Sequence, residues 1–116
     1  MAAVDLTLVD GSTVTVVDSQ VTFVGGVNNA VEVTIPTAGE NPIVLEVNDT
    51  IAQVVSDLNV IIDITTADGE VYINKEKVML VTDNGSGSRI QYASDFGAYN
   101  DIILSTESRT AVKAKL

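Results

Sequence analysis

The sequence predicts a mainly β protein of α+β class, made of two tandem copies of a small β-sheet unit. Each copy ends in a short helix, and the two pack rigidly together. Three observations carry this expectation. Val, Ile and Thr supply more than a third of the 116 residues, and β-branched side chains suit a pleated sheet. Turn-forming Asp-Gly, Gly-Gly and Asn-Asn pairs break the apolar stretches at short intervals, as closely spaced strands require. An internal repeat also recurs at an offset of 58 residues.

The repeat begins where Val4-Asp5-Leu6-Thr7-Leu8-Val9-Asp10-Gly11 matches Ile62-Asp63-Ile64-Thr65-Thr66-Ala67-Asp68-Gly69. Asp5/Asp63, Thr7/Thr65, Asp10/Asp68 and Gly11/Gly69 are identical pairs. After a one-residue gap, Val21 to Val24 aligns with Val78 to Val81, and Val33 to Ile35 with Ile90 to Tyr92. The 58-residue offset then returns for Asn48/Thr106, Thr50/Ser108, Val54/Val112 and Leu58/Leu116. Self-similarity of this kind marks a duplicated supersecondary unit. The copies are expected at 1–59 and 60–116.

In the first copy, strands are expected near 4–9, 13–17, 20–25, 30–35 and 43–47. Asp10-Gly11 is a tight-turn signal between the first two. Gly25-Gly26 and Asn28-Asn29 mark the next reversal. Pro36 and Pro42 bracket a loop, because proline donates nothing to a central ladder. Asn48 or Asp49 then opens a helix. Its residues Ile51, Val54, Val55 and Leu58 fall at i, i+3, i+4 and i+7 on one apolar face. Val60-Ile61-Ile62 starts the next strand with no Gly/Ser linker, so the copies are joined rigidly.

The second copy follows the same plan, with strands near 60–66, 71–74, 77–82, 88–92 and 101–105. Asp83 to Ser88 reads as its hairpin loop. Thr106 is expected to cap a final helix running to Leu116. Arg109 stands where the first helix has Ile51, and Lys113 where it has Val55, so the last helix has a poorer apolar face. A lone unit of this size has a marginal core. Packing two together in a pseudo-twofold arrangement, helices over sheets, is the expected remedy.

Composition narrows the function. The chain has no His, no Cys and no Trp. It therefore lacks the usual general base, the thiolate nucleophile and the commonest metal ligands. No spacing singles out a pair of carboxylates for hydrolysis. Asp83 to Ser88 has the oxygen-rich look of a calcium loop but lacks the closing Glu. It also lacks the Lys that follows a phosphate-binding glycine loop. The expectation is no enzyme, no cofactor and no metal.

The net charge of −10 opposes binding to nucleic acid and to anionic membranes. No apolar run reaches the ~20 residues of a membrane span. The opening residues, with neither a basic stretch nor a long apolar segment, do not read as a signal peptide. The charge is also uneven. Residues 1–61 carry eight acids and no base, whereas residues 62–116 carry eight acids and all six bases. An acidic end and a less acidic, base-bearing end favour head-to-tail contact between subunits. Tyr92, Phe96 and Tyr99 gather three of the five aromatics around Gly97 in an expected loop, 93–101 and its edge, and aromatics make interface anchors. With Arg109, Lys113 and Lys115 on the last helix, they are the candidate interface residues.

Asp68-Gly69, Asn74 through Val81, and Ile102 through Ser108 form a strand, turn, hairpin and helix-opening pattern. It is similar to small β-rich proteins of tailed-phage genomes and, more distantly, to small flagellar-operon β proteins. The acidic, Val/Thr-rich and Cys-free composition resembles that of tailed-phage virion decoration and auxiliary proteins. The resemblance implies a virion location and a capsid decoration or auxiliary role performed by protein–protein packing. The partners would be other subunits in a homo-oligomer or capsid lattice, with no nucleic acid and no membrane. The alternative is a small binding module that recognises a protein or a glycan through its loops.

Overall fold

A computed structural model describes residues 2–27, 30–35, 43–95 and 99–116. The chain is mainly β. In the first half, β1 (Ala3–Thr7) and β2 (Thr13–Val17) form a hairpin, followed by a 3₁₀ turn at Asp18–Gln20. Next come β3 (Phe23–Val27), β4 (Ala30–Ile35), β5 (Ile43–Val47) and the helix α1 (Ile51–Asp57). In the second half, β6 (Ile61–Thr66) and β7 (Gly69–Asn74) form a hairpin, followed by a 3₁₀ turn at Lys75–Lys77. Then come β8 (Val78–Asn84), β9 (Gly87–Asp95), β10 (Tyr99–Ser105) and α2 (Arg109–Lys113).

The halves match in pairing as well as in element order. Val4 faces Val16, and Ile62 faces Ile73. Val24 faces Val33, and Val81 faces Ile90. Val33 faces Leu45, and Ile90 faces Ile103. The first strand then touches the last by the same isolated step, Leu8 with Val47 and Thr66 with Ser105. Even the backbone bond beyond it recurs: Asn48 N–H donates to the Thr7 carbonyl at 2.8 Å and Thr106 N–H to the Thr65 carbonyl at 3.0 Å. Because side chains alternate across a strand, a shared register puts equivalent residues on equivalent faces.

The strands run β5-β4-β3-β7-β6-β10-β9-β8 in one eight-stranded sheet, with the β1-β2 hairpin beside β5. The halves join where β3 pairs with β7. This differs from the expected pseudo-twofold. A dyad at the joint would pair β3 with its own counterpart, β8. Instead β3 meets the counterpart of β2, so the joint is heterologous.

Local chemistry explains the ends of the elements. Gly11 and Gly69 hold φ of +90° and +121° in the two Asp-Gly turns, values that other residues rarely reach. The helices begin later than the sequence suggested, and α2 ends at Lys113 rather than running to Leu116. Thr50, not Asn48 or Asp49, caps α1 by accepting from Gln53 N–H, and Ser108, not Thr106, caps α2 by accepting from Ala111 N–H. The residues ahead of each cap are engaged in bonds to the first strand of their unit, which keeps them extended. The hairpin at 83–88 is also tighter than expected. Asp83 pairs with Ser88 and Asn84 with Gly87, leaving Gly85 and Ser86 as the turn.

The two cores are unequal. The first gathers Leu6, Val16, Val24, Val33, Val47, Val54 and Leu58 among its buried residues, while the second has Ile64, Ile73, Ile90 and Val112. Where the first half pairs the buried Val31 and Val47, the second pairs the buried Ser88 and Ser105. Those hydroxyls are satisfied: Ser88 donates to the Glu107 carbonyl at 2.9 Å and Ser105 to the Thr65 carbonyl at 2.8 Å. The second half therefore replaces part of its apolar packing with hydrogen bonds, each worth about 1 kcal/mol net.

Candidate functional site

The outer face of the β8-β9-β10 meander is the most conspicuous surface. Pairing places Leu80, Gln91 and Ile102 in one row across the three strands and Thr82, Arg89 and Leu104 in the next. Rows two residues apart share a face. Ile90, Ile103 and Val81 point the other way, onto Val112 of α2. Leu80, Ile102 and Leu104 stay 50%, 47% and 58% exposed. Met79 is exposed as well, beside Leu80 on the outermost strand. Apolar side chains grouped around an Arg are typical of surfaces that meet other proteins.

The expected interface residues fall in several places. Tyr92 lies in β9 rather than in a loop and is buried. It shares the core face with Ile90, because the strand alternation sends them the same way. Phe96 lies outside the described residues. Tyr99 starts β10, where its backbone pairs with Asp95. Much of the expected 93–101 loop is therefore strand. Arg109 is on the surface and its Nε donates to Asp83 Oδ1 at 3.1 Å. That pair is worth little in stability, since both side chains are well exposed. Lys113 is exposed in the last turn of α2.

Lys115 is part of a clasp. Its Nζ lies 2.8 Å from Glu107 Oε1 and 3.5 Å from Asp63 Oδ2, and donates to the Asp63 carbonyl at 2.6 Å. Glu107 Oε2 accepts from Thr65 N–H at 2.8 Å. Burial on its own would raise the Glu107 carboxyl, but the bonds from Lys115 and Thr65 outweigh it and hold the group below its usual value. Burial on its own would lower Lys115, yet Glu107 and Asp63 together raise it above its usual value. The clasp ties the end of the chain to β6.

A half-open cleft of about 310 Å³ lies where the halves meet, lined by Val24, Tyr72, Ile73, Tyr92 and Ile103 among others. Tyr72 Oη donates to Glu70 Oε2 at 3.1 Å. Burial, and then that bond to an anion, push the Tyr72 phenol above its usual value. In the oxygen-rich 83–88 hairpin, Asp83 is turned to Arg109 and Ser88 to the Glu107 carbonyl. Among the described residues, no three acidic side chains gather as metal ligands would.

The sequence did not single out this outer face. Ile102 and Leu104 alternate with Ile103 in one apolar run, and the run alone does not say which side faces out. The signal that was available is the polar alternation of Arg89 and Gln91 on the neighbouring strand, which marks its solvent side.

The fold and this surface define a β-rich protein with an eight-stranded sheet, a two-stranded hairpin beside it and an exposed apolar face. Comparisons with protein-family models, with curated proteins and with solved structures find no match. No helix among the described residues is long and apolar enough to cross a membrane.

Proposed function

We propose that this chain is a structural protein that works by packing against other protein subunits, as a capsid decoration or auxiliary component of a tailed-phage virion. The observation that carries the reading is the half-exposed group Leu80, Ile102 and Leu104 beside Arg89 on the outer face of β8-β9-β10. Leaving such a group in water forgoes the roughly 25 cal/mol per Å² that burial would return. A partner surface recovers it. The acidic first half and the base-bearing second half add a preferred orientation to such contacts.

The test is sedimentation of assembled particles from the source of the gene, with the tagged chain supplied. The chain should travel with the particles through a density gradient. A chain carrying both Ile102→Asp and Leu104→Asp should stay at the top while remaining folded by circular dichroism. Recovery of the unmodified chain in the soluble fraction alone overturns the virion reading.

A second reading, a small binding module, is favoured by the Tyr72/Tyr92 cleft. Aromatic walls suit the apolar face of a sugar or a peptide side chain. It predicts saturable quenching of tyrosine fluorescence by one class of oligosaccharide or peptide. That quenching should be lost in Tyr92→Leu.

A further inference from the structure

The strand row has two open ends, and the joint between the halves says what fits them. Counting the Leu8/Val47 and Thr66/Ser105 contacts, each half runs in the order second, first, fifth, fourth, third strand: β2-β1-β5-β4-β3, then β7-β6-β10-β9-β8. The halves meet through β3 and β7. At the open ends stand β2, the counterpart of β7, and β8, the counterpart of β3. Among the described residues no strand pairs with the outer edge of either. We infer that β8 of one chain pairs with β2 of a second copy by the same register that joins β3 to β7 within the chain, so that copies add head to tail.

The register can be written out. Inside the chain, Phe23 faces Ile73, Val24 faces Tyr72, and Asn74 N–H donates to the Thr22 carbonyl at 2.9 Å. The repeat offset carries these pairs to Leu80 against Val16 of the second copy, Val81 against its Thr15, and its Val17 N–H to the Met79 carbonyl. The irregularity between Val78 and Leu80 does not disqualify the edge. Thr22, at the position of Met79, accepts a bond from β7 across that same stretch. Nor does α2 cover the edge, since it packs on β8 as α1 packs on β3, and β3 is paired.

Both free strands lack the usual guards. Edge strands in natural proteins are commonly blunted with Lys, Pro or inward charges. Thr13–Val17 has no charge and no Pro, and Val78–Asn84 has no charge before Asp83. Met79 and Leu80 leave the β8 edge strand apolar and exposed. Charge also fits, because the acidic half of one copy would approach the 3₁₀ turn that carries Lys75 and Lys77 of the other. One difference weakens the joint between chains. Within the chain, Asn74 Nδ2 donates to the Asp18 and Val21 carbonyls at 3.2 and 2.8 Å. Val17 stands at that position in β2 and donates no such bonds. The contact between copies is therefore reversible and depends on concentration. A heterologous joint of this kind closes into a ring or runs on as a filament.

This inference deepens the packing reading by naming a second copy as partner, and it is tested on purified chain with no particle present. The chain has no cysteine, so introduced thiols report only the designed contact. A chain bearing both Thr15→Cys and Val81→Cys, oxidised mildly, should give a ladder of covalent dimers, trimers and larger species on a non-reducing denaturing gel. Mixing the two single-cysteine chains should give several-fold more mixed dimer than either homodimer. Chains with Gln53→Cys, on the exposed side of α1, should give only background. Sedimentation of the cysteine-free chain should show mass rising with concentration, and Leu80→Lys, at an exposed position, should abolish that rise. A monomer at every concentration with no ladder overturns the inference, and so does a Val81→Cys homodimer that outruns the mixed dimer. Particle binding without a ladder would spare the virion reading. A ladder without particle binding would spare this one.

Discussion

Glu107 and Lys115 meet at 2.8 Å, and through them the last residues of the chain are bound to β6. Glu107 holds Thr65 N–H with one oxygen and Lys115 with the other. The corresponding positions in the first half are Asp49 and Asp57, two acids, so the clasp belongs to the second half alone. There it supports the smaller core. Glu107→Ala would leave Thr65 N–H without this acceptor and Lys115 without its nearest anion. We expect a loss of about 2–3 kcal/mol in denaturant unfolding, and about 1 kcal/mol for Glu107→Gln.

The same pair sets a pH dependence. Glu107 is held below its usual value, so its contribution is complete above the range where a free glutamate titrates. It is lost as pH falls through the lowered value. Lys115 is raised, so its contribution is complete below the range of a free lysine and is lost as pH rises through the raised value. Unfolding midpoints should fall at both extremes. In Glu107→Gln the acid limb should flatten relative to the unmodified chain, and an unchanged acid limb would contradict the clasp.

Asn74 is fully buried at the joint between the halves. Its amide donates to two carbonyls of the first half while its own oxygen accepts from Glu76 N–H at 2.8 Å. Asn74→Leu removes both donations and leaves buried acceptors behind, which costs about 1–3 kcal/mol. The loss should appear by hydrogen exchange as earlier opening of the amides at the β3-β7 joint, before those of β9.

Gly87 approaches the Ser105 backbone so closely that a Cβ there would collide with the Ser105 carbonyl oxygen and lie 3.3 Å from its carbon. Backbone cannot swing aside as a long side chain can. Gly87→Ala should therefore destabilise by about 2 kcal/mol or more through strain in the β9-β10 ladder. Thermal unfolding would measure it. A neutral substitution would mean that the ladder yields at this point.

The two helices should respond differently to an added acid. Ile51 is partly buried against the first core, whereas Arg109 stands on the surface beside Asp83. Ile51→Asp should cost about 2 kcal/mol or more through lost burial and desolvation of the carboxylate. Arg109→Asp exchanges an exposed attraction for an exposed repulsion and should cost under about 1 kcal/mol. Equal shifts in unfolding midpoint would contradict this assignment of faces.

Local patterns in the sequence determined where most strands and the first helix fall, but not where the helices begin. β-Branched runs, the Asp-Gly turns and the apolar face of Val54 and Leu58 act over a few residues, and each appears where its own chemistry demands. The matched register of the opening hairpins, β1-β2 and β6-β7, was legible because Asp10-Gly11 and Asp68-Gly69 fix their turns. What the sequence left open was decided by contacts between distant segments. Every strand edge carries the same row of N–H and C=O groups, so nothing local chooses β7 as the partner of β3. Burial of Val24 and Ile73 and the reach of Asn74 across to Asp18 and Val21 favour that pairing. Lys115 reads along the chain as a free base near its end. It is engaged only because folding brings Asp63 beside it from 52 residues away, and a charge held between two carboxylates gains what an exposed one in water does not.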